Sequence, residues 1–112
     1  MRIENKIQAS CVEWFKNQFC LKHHKPRYEI FSVPNEATYS NNNFKALGIR
    51  DGVSDTVVVL NKEVLFIEFK DPKGSQSEEQ EDFEKLVTDL GHSYYIVRSI
   101  EQFKEVIYDR IN

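Results

Sequence analysis

Residues 52–70 read GVSDTVVVLNKEVLFIEFK, and this stretch decides the fold. It contains two runs of apolar, largely β-branched residues separated by Asn61-Lys62-Glu63. Such runs favour strands, and a short polar connection between them is typical of a hairpin. The stretch therefore predicts strands at about 55–60 and 64–70 that lie side by side in a sheet.

Charged side chains flank this predicted hairpin at the start of its first strand and at the end of its second. Side chains alternate along a strand, so Glu68 and Lys70 share one face while Ile67 and Phe69 share the other. Charges in such a place need partners or a metal. Asp55 and Glu68, meeting from neighbouring strands, suit Mg²⁺ or Mn²⁺, which take oxygen ligands. With Lys70 to hold or deprotonate an attacking water, the set predicts metal-assisted hydrolysis of a phosphodiester.

The rest of the chain predicts helices and strands in alternation. A helix over 78–90 has Ser77 and Gln80 in capping-box positions, and Gly91 is placed to end it. Its predicted apolar face consists of Phe83, Leu86, Val87 and Leu90. Ser99 and Gln102 form a second predicted capping box, before a last helix that carries Phe103, Val106, Ile107 and Ile111. The remaining predicted elements are a helix over 3–19, a strand over 28–33, a weak helix over 38–47 and a strand over 93–98. The order α-β-(α)-β-β-α-β-α predicts an α/β fold with a short mixed sheet flanked by helices.

Composition sets the limits of this interpretation. A chain of 112 residues predicts a single domain over residues 1–112. No run approaches the roughly 20 apolar residues of a membrane span, and the polar N-terminus lacks a signal sequence, so we expect a cytoplasmic protein and no membrane partner. Cys11 and Cys20 do not suggest a disulfide framework, and we expect free thiols.

Net charge argues only mildly against a nucleic-acid partner. The formal charge is −3, which does not favour general nucleic-acid binding. However, residues 1–75 carry 11 Lys and Arg against 9 Asp and Glu, whereas residues 76–112 carry 4 against 9. The acidic excess lies largely at the start of the helix predicted over 78–90, where a solvated face that complements the helix dipole explains it.

The first helix contains one misplaced charge. Its apolar residues recur at three- and four-residue steps and centre on Cys11. They are Ile3, Ile7, Cys11, Trp14, Phe15 and Phe19. Glu4 lies about 20° from Cys11 on a wheel of 100° per residue, so it falls inside the apolar stripe, whereas Glu13 lies on the opposite side.

At this point the chain resembles the VRR-NUC branch of the PD-(D/E)XK nucleases, as a stand-alone, phage-type member. The resemblance rests first on Gly52-Val53-Ser54-Asp55 followed by Phe66-Ile67-Glu68-Phe69-Lys70. Other matching segments are Glu4 with Gln8 and Val12-Glu13-Trp14, Val33-Pro34-Asn35, Leu47-Gly48 through Asp55, Lys73-Gly74 with Ser77 and Gln80, Gly91, and Val97-Arg98-Ser99. Glu36 departs from the small residue expected after Pro-Asn.

The resemblance implies a restriction-endonuclease-like fold and a Mg²⁺- or Mn²⁺-dependent DNA endonuclease. Asp55 and Glu68 would bind the metal with the backbone carbonyl of Phe69, and Glu4 would approach it directly or through water. Lys70 would position the water and stabilise charge in the transition state, and Gln80 would orient Lys70 or the water. Stand-alone members resemble homodimeric resolvases of branched DNA, such as four-way junctions, in the cytoplasm of a bacterium or a phage-infected host.

Simpler structural explanations exist for each of these residues. Glu68 and Lys70 fit a plain ion pair on an edge strand, Asp55 fits a turn cap, Glu4 fits a helix end favoured by the dipole, and Gln80 fits its capping box. A basic loop supplies sequence-independent affinity for a DNA backbone, and the predicted contacts are Lys22, Lys25, Arg27, Arg50 and Lys73. Arg50 suits a solvated turn equally well. The alternative functions are a non-cleaving, nuclease-derived nucleic-acid-binding module and a carboxylate-pair hydrolase acting on sugars.

Overall fold

A computed structural model of the protein describes residues 2–21, 26–34 and 46–111. The elements within these ranges are α1 (Ile3–Phe19), β1 (Glu29–Ser32), β2 (Thr56–Leu60), β3 (Glu63–Phe69), α2 (Glu78–Asp89), β4 (Ser93–Val97) and α3 (Ile100–Ile111). The predicted order is confirmed, and the helix predicted over 38–47 lies mostly outside the described residues. Where that range enters the described part of the chain, residues 46–48 form a turn.

The strands form one mixed sheet in the order β1-β2-β3-β4. β1, β2 and β3 pair antiparallel, and β3 pairs parallel with β4. Parallel neighbours need a long crossover connection, and α2 supplies it between β3 and β4. The predicted α/β class with a mixed sheet is confirmed.

Helices pack on both faces of the sheet. α1 and α3 meet on one face, where Cys11 and Phe15 pack with Phe103 and Ile107 over the buried strand residue Leu65. α2 covers part of the other face through a smaller cluster, Phe83, Val87 and Tyr94, against which Val53, Phe66 and Ile96 pack. The alternation predicted for β3 therefore sends Ile67 and Phe69 to the larger core and leaves Phe66 under α2.

Three apolar residues assigned to helix faces by periodicity are exposed. Ile3 is 57% exposed because it lies in the first turn of α1, before the packed part of that helix begins at Ile7. Leu86 and Leu90 are 49% and 65% exposed. The contact of α2 with the sheet is narrow and is made by Phe83 and Val87, so a four-residue apolar stripe was too wide a prediction.

The helix ends agree with the sequence, with one difference. Ser77 and Gln80 form a complete capping box, and Gly91 follows α2 with φ +93°. Ser99 Oγ accepts the Gln102 N–H at 3.1 Å, but Gln102 Oε1 accepts the N–H of Arg98 at 2.7 Å, so the second capping box is only half formed.

Both cysteines are free thiols, as expected. Burial raises the pKa of the Cys11 thiol to about 12, which keeps it protonated and unreactive. Among the described helices, none is long and apolar enough to cross a bilayer.

Candidate active site

Asp55 and Glu68 face each other across the hairpin. The β2–β3 register pairs Thr56 with Ile67, and one further step along it sets Asp55 opposite Glu68. Asp55 Oδ2 accepts the backbone N–H of Phe69 at 2.8 Å, which fixes the aspartate against the end of β3. The predicted meeting of two carboxylates from neighbouring strands therefore has a direct geometric basis. Like charges placed opposite each other are unfavourable, so the pair needs a compensating partner.

Glu68 is a buried carboxyl group with one unsatisfied oxygen. Glu68 is only 2% exposed. Its Oε1 is buried and accepts no hydrogen bond. Burial, and then the neighbouring Asp55, raise the pKa of Glu68 to about 9, although the Lys70 ammonium acts in the opposite direction. A buried oxygen beside a second carboxylate is a suitable donor for a hard divalent cation, so these residues fit Mg²⁺ or Mn²⁺.

Lys70 places its ammonium beside this pair. Lys70 Nζ lies 4.0 Å from Glu68 Oε2, and the lysine side chain is 16% exposed. The backbone N–H of Lys70 donates to the Val97 carbonyl at 3.0 Å, so β4 holds the end of β3. The following loop is held by Arg98, whose Nη1 donates to the carbonyls of Asp71 and Gly74 at 2.8 and 2.7 Å. The backbone at Lys70 and in the loop after it is thus fixed by hydrogen bonds.

Gln80 performs two tasks at once. Its Oε1 accepts the N–H of Ser77 at 2.9 Å within the capping box, while its Nε2 donates to Glu68 Oε2 at 3.0 Å. The capping explanation and the active-site explanation were alternatives in the sequence. In the structure the same amide group makes both contacts, and through it the first turn of α2 holds Glu68.

Glu4 lines the same cavity but stands apart from the two strand carboxylates. A cavity of about 710 Å³ is bordered by Glu4, Asp55, Glu68, Lys70 and Gln80. Glu4 Oε1 lies 3.4 Å from Arg2 Nη1, and its side chain is 29% exposed. Across residues 2–21, 26–34 and 46–111, no three Asp, Glu, His or Cys side chains form a metal-binding group. An approach of Glu4 to the metal, directly or through water, stays a prediction.

The remaining predicted residues are spread over the molecule. Phe69 lines the cavity, and its carbonyl stays a predicted ligand. Arg27 and Lys73 are exposed, while Lys22 and Lys25 lie outside the described residues. Arg50 is exposed too, but its guanidinium lies 5.2 Å from the centre of the Phe83 ring and donates to the Asp51 carbonyl at 2.9 Å. DNA contact by these side chains stays a prediction, and Arg50 has a structural partner in α2.

Sequence reasoning missed the polar outer wall of the cavity. Arg2, Asn5, Gln8 and Ser32 line it, and Gln8 Nε2 donates to Ser32 Oγ at 2.9 Å. The helical wheel contained the signal, since Asn5 and Gln8 lie one turn apart beside the apolar stripe that holds Glu4. Which strand residue would face them was set by the β1 pairing, which the sequence did not reveal.

Two solved structures share the fold of this chain. One is a VRR_NUC domain protein, which superposes with a TM-score of 0.75 at 22% identity and covers 99% of this chain and 89% of its own. The other is a VRR_NUC domain with a TM-score of 0.67 at 19% identity, and the match covers 96% of this chain and 97% of that domain. Comparison of the sequence with known protein families and with curated proteins gives no match. The chain therefore has the VRR-NUC domain fold, and the resemblance seen in the sequence is confirmed at the level of structure.

Proposed function

We propose that the protein is a Mg²⁺- or Mn²⁺-dependent DNA endonuclease that hydrolyses phosphodiester bonds. The observation that carries this proposal is the buried Glu68 with its unpartnered Oε1, facing Asp55 and accompanied by Lys70. The shared fold with VRR-NUC domains supports it. Asp55 and Glu68 would hold the cation, with the Phe69 carbonyl as a third ligand and Glu4 acting through water.

The residues divide the chemical work among themselves. When bound, the divalent cation supplies Lewis-acid stabilisation of the phosphoryl oxygens. Lys70 orients the attacking water and offsets the negative charge that the phosphoryl oxygens carry in the transition state. Gln80 keeps Glu68 in place by donating to Oε2, and Oε1, which accepts no hydrogen bond, would be available to the cation. The polar cavity wall admits the charged substrate.

A non-cleaving nucleic-acid-binding module is the alternative, and the buried carboxylates speak against it. A module that only bound the DNA backbone would gain nothing from two opposed carboxylates, which repel phosphates and cost folding free energy. An intact Asp55, Glu68 and Lys70 set is instead what hydrolysis requires.

We further propose a homodimer that acts on branched DNA such as four-way junctions, in the cytoplasm of a bacterium or phage-infected host. One site cuts one strand, so resolving a junction needs two sites, which a two-fold dimer supplies symmetrically. Contacts to the DNA backbone would come from Lys22, Lys25, Arg27, Arg50 and Lys73. Such contacts release counterions, so binding should weaken steeply with added salt.

The test is cleavage of matched linear, nicked, flapped and four-way DNA, with Mg²⁺, Mn²⁺ or EDTA, together with solution mass by light scattering. We expect metal-dependent cleavage that favours the junction, and a dimer. If no DNA is cut under any metal condition while junctions are bound, the binding module is the correct interpretation. A monomer that cuts linear duplex as readily as junctions would refute the resolvase proposal and leave the nuclease standing.

Glu4 and Glu13 form a matched pair for testing the role of α1. Glu4 lines the cavity with Asp55 and Glu68, whereas Glu13 is exposed outside it. We expect Glu4→Gln to reduce the cleavage rate and the Mn²⁺ affinity, because it removes a negative charge facing the cation site. Glu13→Gln should match the unmodified protein in both measurements. Identical behaviour of the two variants would remove Glu4 from the site.

A further inference from the structure

The loop that leads into Asp55 closely approaches the first turn of α2 at Gly52. Gly52 is buried with φ +84°. A Cβ atom on Gly52 would lie 2.3 Å from the carbonyl oxygen of Glu79 and 2.4 Å from its carbonyl carbon. These are backbone atoms, so no side-chain rotation could relieve the clash. The two segments can approach this closely only because position 52 has no side chain.

This contact lies between the residues that build the site. Gly52 is three residues before Asp55, which is bonded to the Phe69 N–H, and Glu79 directly precedes Gln80, which is bonded to Glu68 Oε2. Arg50, on the same loop, lies over the Phe83 ring of the same helix. Val53 of this loop also packs against the cluster that contains Phe83. The loop therefore contacts α2 at several residues, and the approach at Gly52 is a backbone contact that leaves no room for a side chain.

We propose that Gly52 is a positioning residue, which sets the distance between the Asp55 loop and α2 and thereby where Gln80 holds Glu68. The inference rests on the proposed nuclease function. A methyl group at position 52 would push the first turn of α2 outward, because a glycine-sized gap cannot hold it. The Gln80 Nε2 to Glu68 Oε2 hydrogen bond, 3.0 Å long, would lengthen or break. Glu68 would then lose the donor that orients its carboxyl group.

Two other glycines provide controls with the same backbone strain. Gly48 and Gly91 have φ +94° and +93°, and a Cβ built on either meets nothing within 4 Å. Alanine at each of the three positions pays a comparable penalty for positive φ. Only alanine at position 52 adds the clash with α2, so the comparison separates the spacing effect from general strain.

The experiment measures Mn²⁺ affinity by calorimetry, together with kcat and KM on a DNA that the unmodified protein cuts, for Gly52→Ala, Gly48→Ala and Gly91→Ala. We expect Gly52→Ala to lower kcat at least tenfold and to weaken Mn²⁺ binding, with KM for DNA within about twofold. The two controls should keep the kcat and the Mn²⁺ affinity of the unmodified protein. If Gly52→Ala matches the controls, the proposal is wrong.

A second variant tests the same linkage when Gly52→Ala is too unstable to purify. Gln80→Ala keeps glycine at position 52 and removes the side chain that donates to Glu68, together with its capping contact to Ser77. The proposal requires Gln80→Ala to lower kcat and weaken Mn²⁺ binding in the same way, and unchanged values would overturn it. Failure of the unmodified protein to cut any DNA would refute the nuclease function, while Mn²⁺ affinity would still decide the role of Gly52.

Discussion

Glu68→Gln should abolish metal-dependent cleavage and at the same time raise the thermal stability of the metal-free protein. Glutamine removes a carboxylate from the cation site, so turnover should fall to the level seen with EDTA. It also replaces a buried carboxyl group that faces Asp55 with a neutral amide of the same shape, which can donate to the aspartate. Loss of activity together with a gain in stability is typical of a site whose charges serve function.

The stability gain should depend on pH with a defined sign. The pKa of Glu68 is about 9 in the folded protein and near 4.5 in an unstructured chain. The folded state therefore holds a proton that the unfolded chain has lost, and this stabilisation is full below about pH 4.5 and is lost as the pH rises towards 9. Glutamine has no such dependence, so the difference in Tm between Glu68→Gln and the unmodified protein should grow between pH 5 and pH 9.

Thermal unfolding in EDTA at a series of pH values is the measurement, paired with cleavage in Mg²⁺ at one pH. Glu63→Gln is a suitable control, since Glu63 lies at the other end of β3, where Arg110 Nε pairs with its Oε1 at 3.3 Å. The control should cut DNA normally and show no stability gain that grows with pH. Normal cleavage by Glu68→Gln would remove Glu68 from the catalytic set.

Lys70→Ala should lower kcat by roughly 10²-fold or more, because it removes one preorganised charge contact from the transition state. The ammonium lies 4.0 Å from Glu68 Oε2 and is held by the β4 pairing of its own backbone. Metal and DNA binding should persist, since Asp55, Glu68 and the exposed basic residues remain. The effect should therefore appear in kcat and leave KM for DNA nearly unchanged.

Lys85→Ala removes the same charge from an exposed position on α2, where Lys85 pairs with Asp89 at 2.8 Å. It should behave like the unmodified protein, because an exposed ion pair of this kind contributes little to stability.

Single-turnover cleavage at saturating DNA separates the two roles open to Lys70. A variant that binds DNA poorly but cuts at the normal maximal rate would show that Lys70 serves ground-state binding.

Much of the arrangement was predictable because the decisive signals are local. The alternation in β3 placed Glu68 and Lys70 on one face, and the short connection at Asn61 fixed the hairpin that sets Asp55 opposite Glu68. The capping box at Ser77 correctly marked the start of α2. Each of these depends on neighbours in the sequence, whose geometry the backbone dictates.

Features that depend on distant contacts were not predictable in the same way. The burial of Glu68 and the missing hydrogen-bond partner of its Oε1 depend on contacts between segments that are distant in the sequence. Arg50 suited a phosphate contact and a solvated turn equally well, and its place over the Phe83 ring depends on where α2 packs. Gly52 was recognised as part of a motif, but its closeness to Glu79 depends on the path of a helix that begins 26 residues later, at Glu78.

The double use of Gln80 restricts which amino acid can occupy its position. A capping box accepts glutamate and glutamine equally well, since only the side-chain oxygen is used. Here the nitrogen of the same amide serves Glu68, so a glutamate would preserve the helix start and bring a third carboxylate against a pair that already repels. An amide is the one side-chain chemistry of this length that offers an acceptor and a donor together. The choice between two nearly isosteric residues is thus made by the active site, although the position looks like an ordinary helix cap.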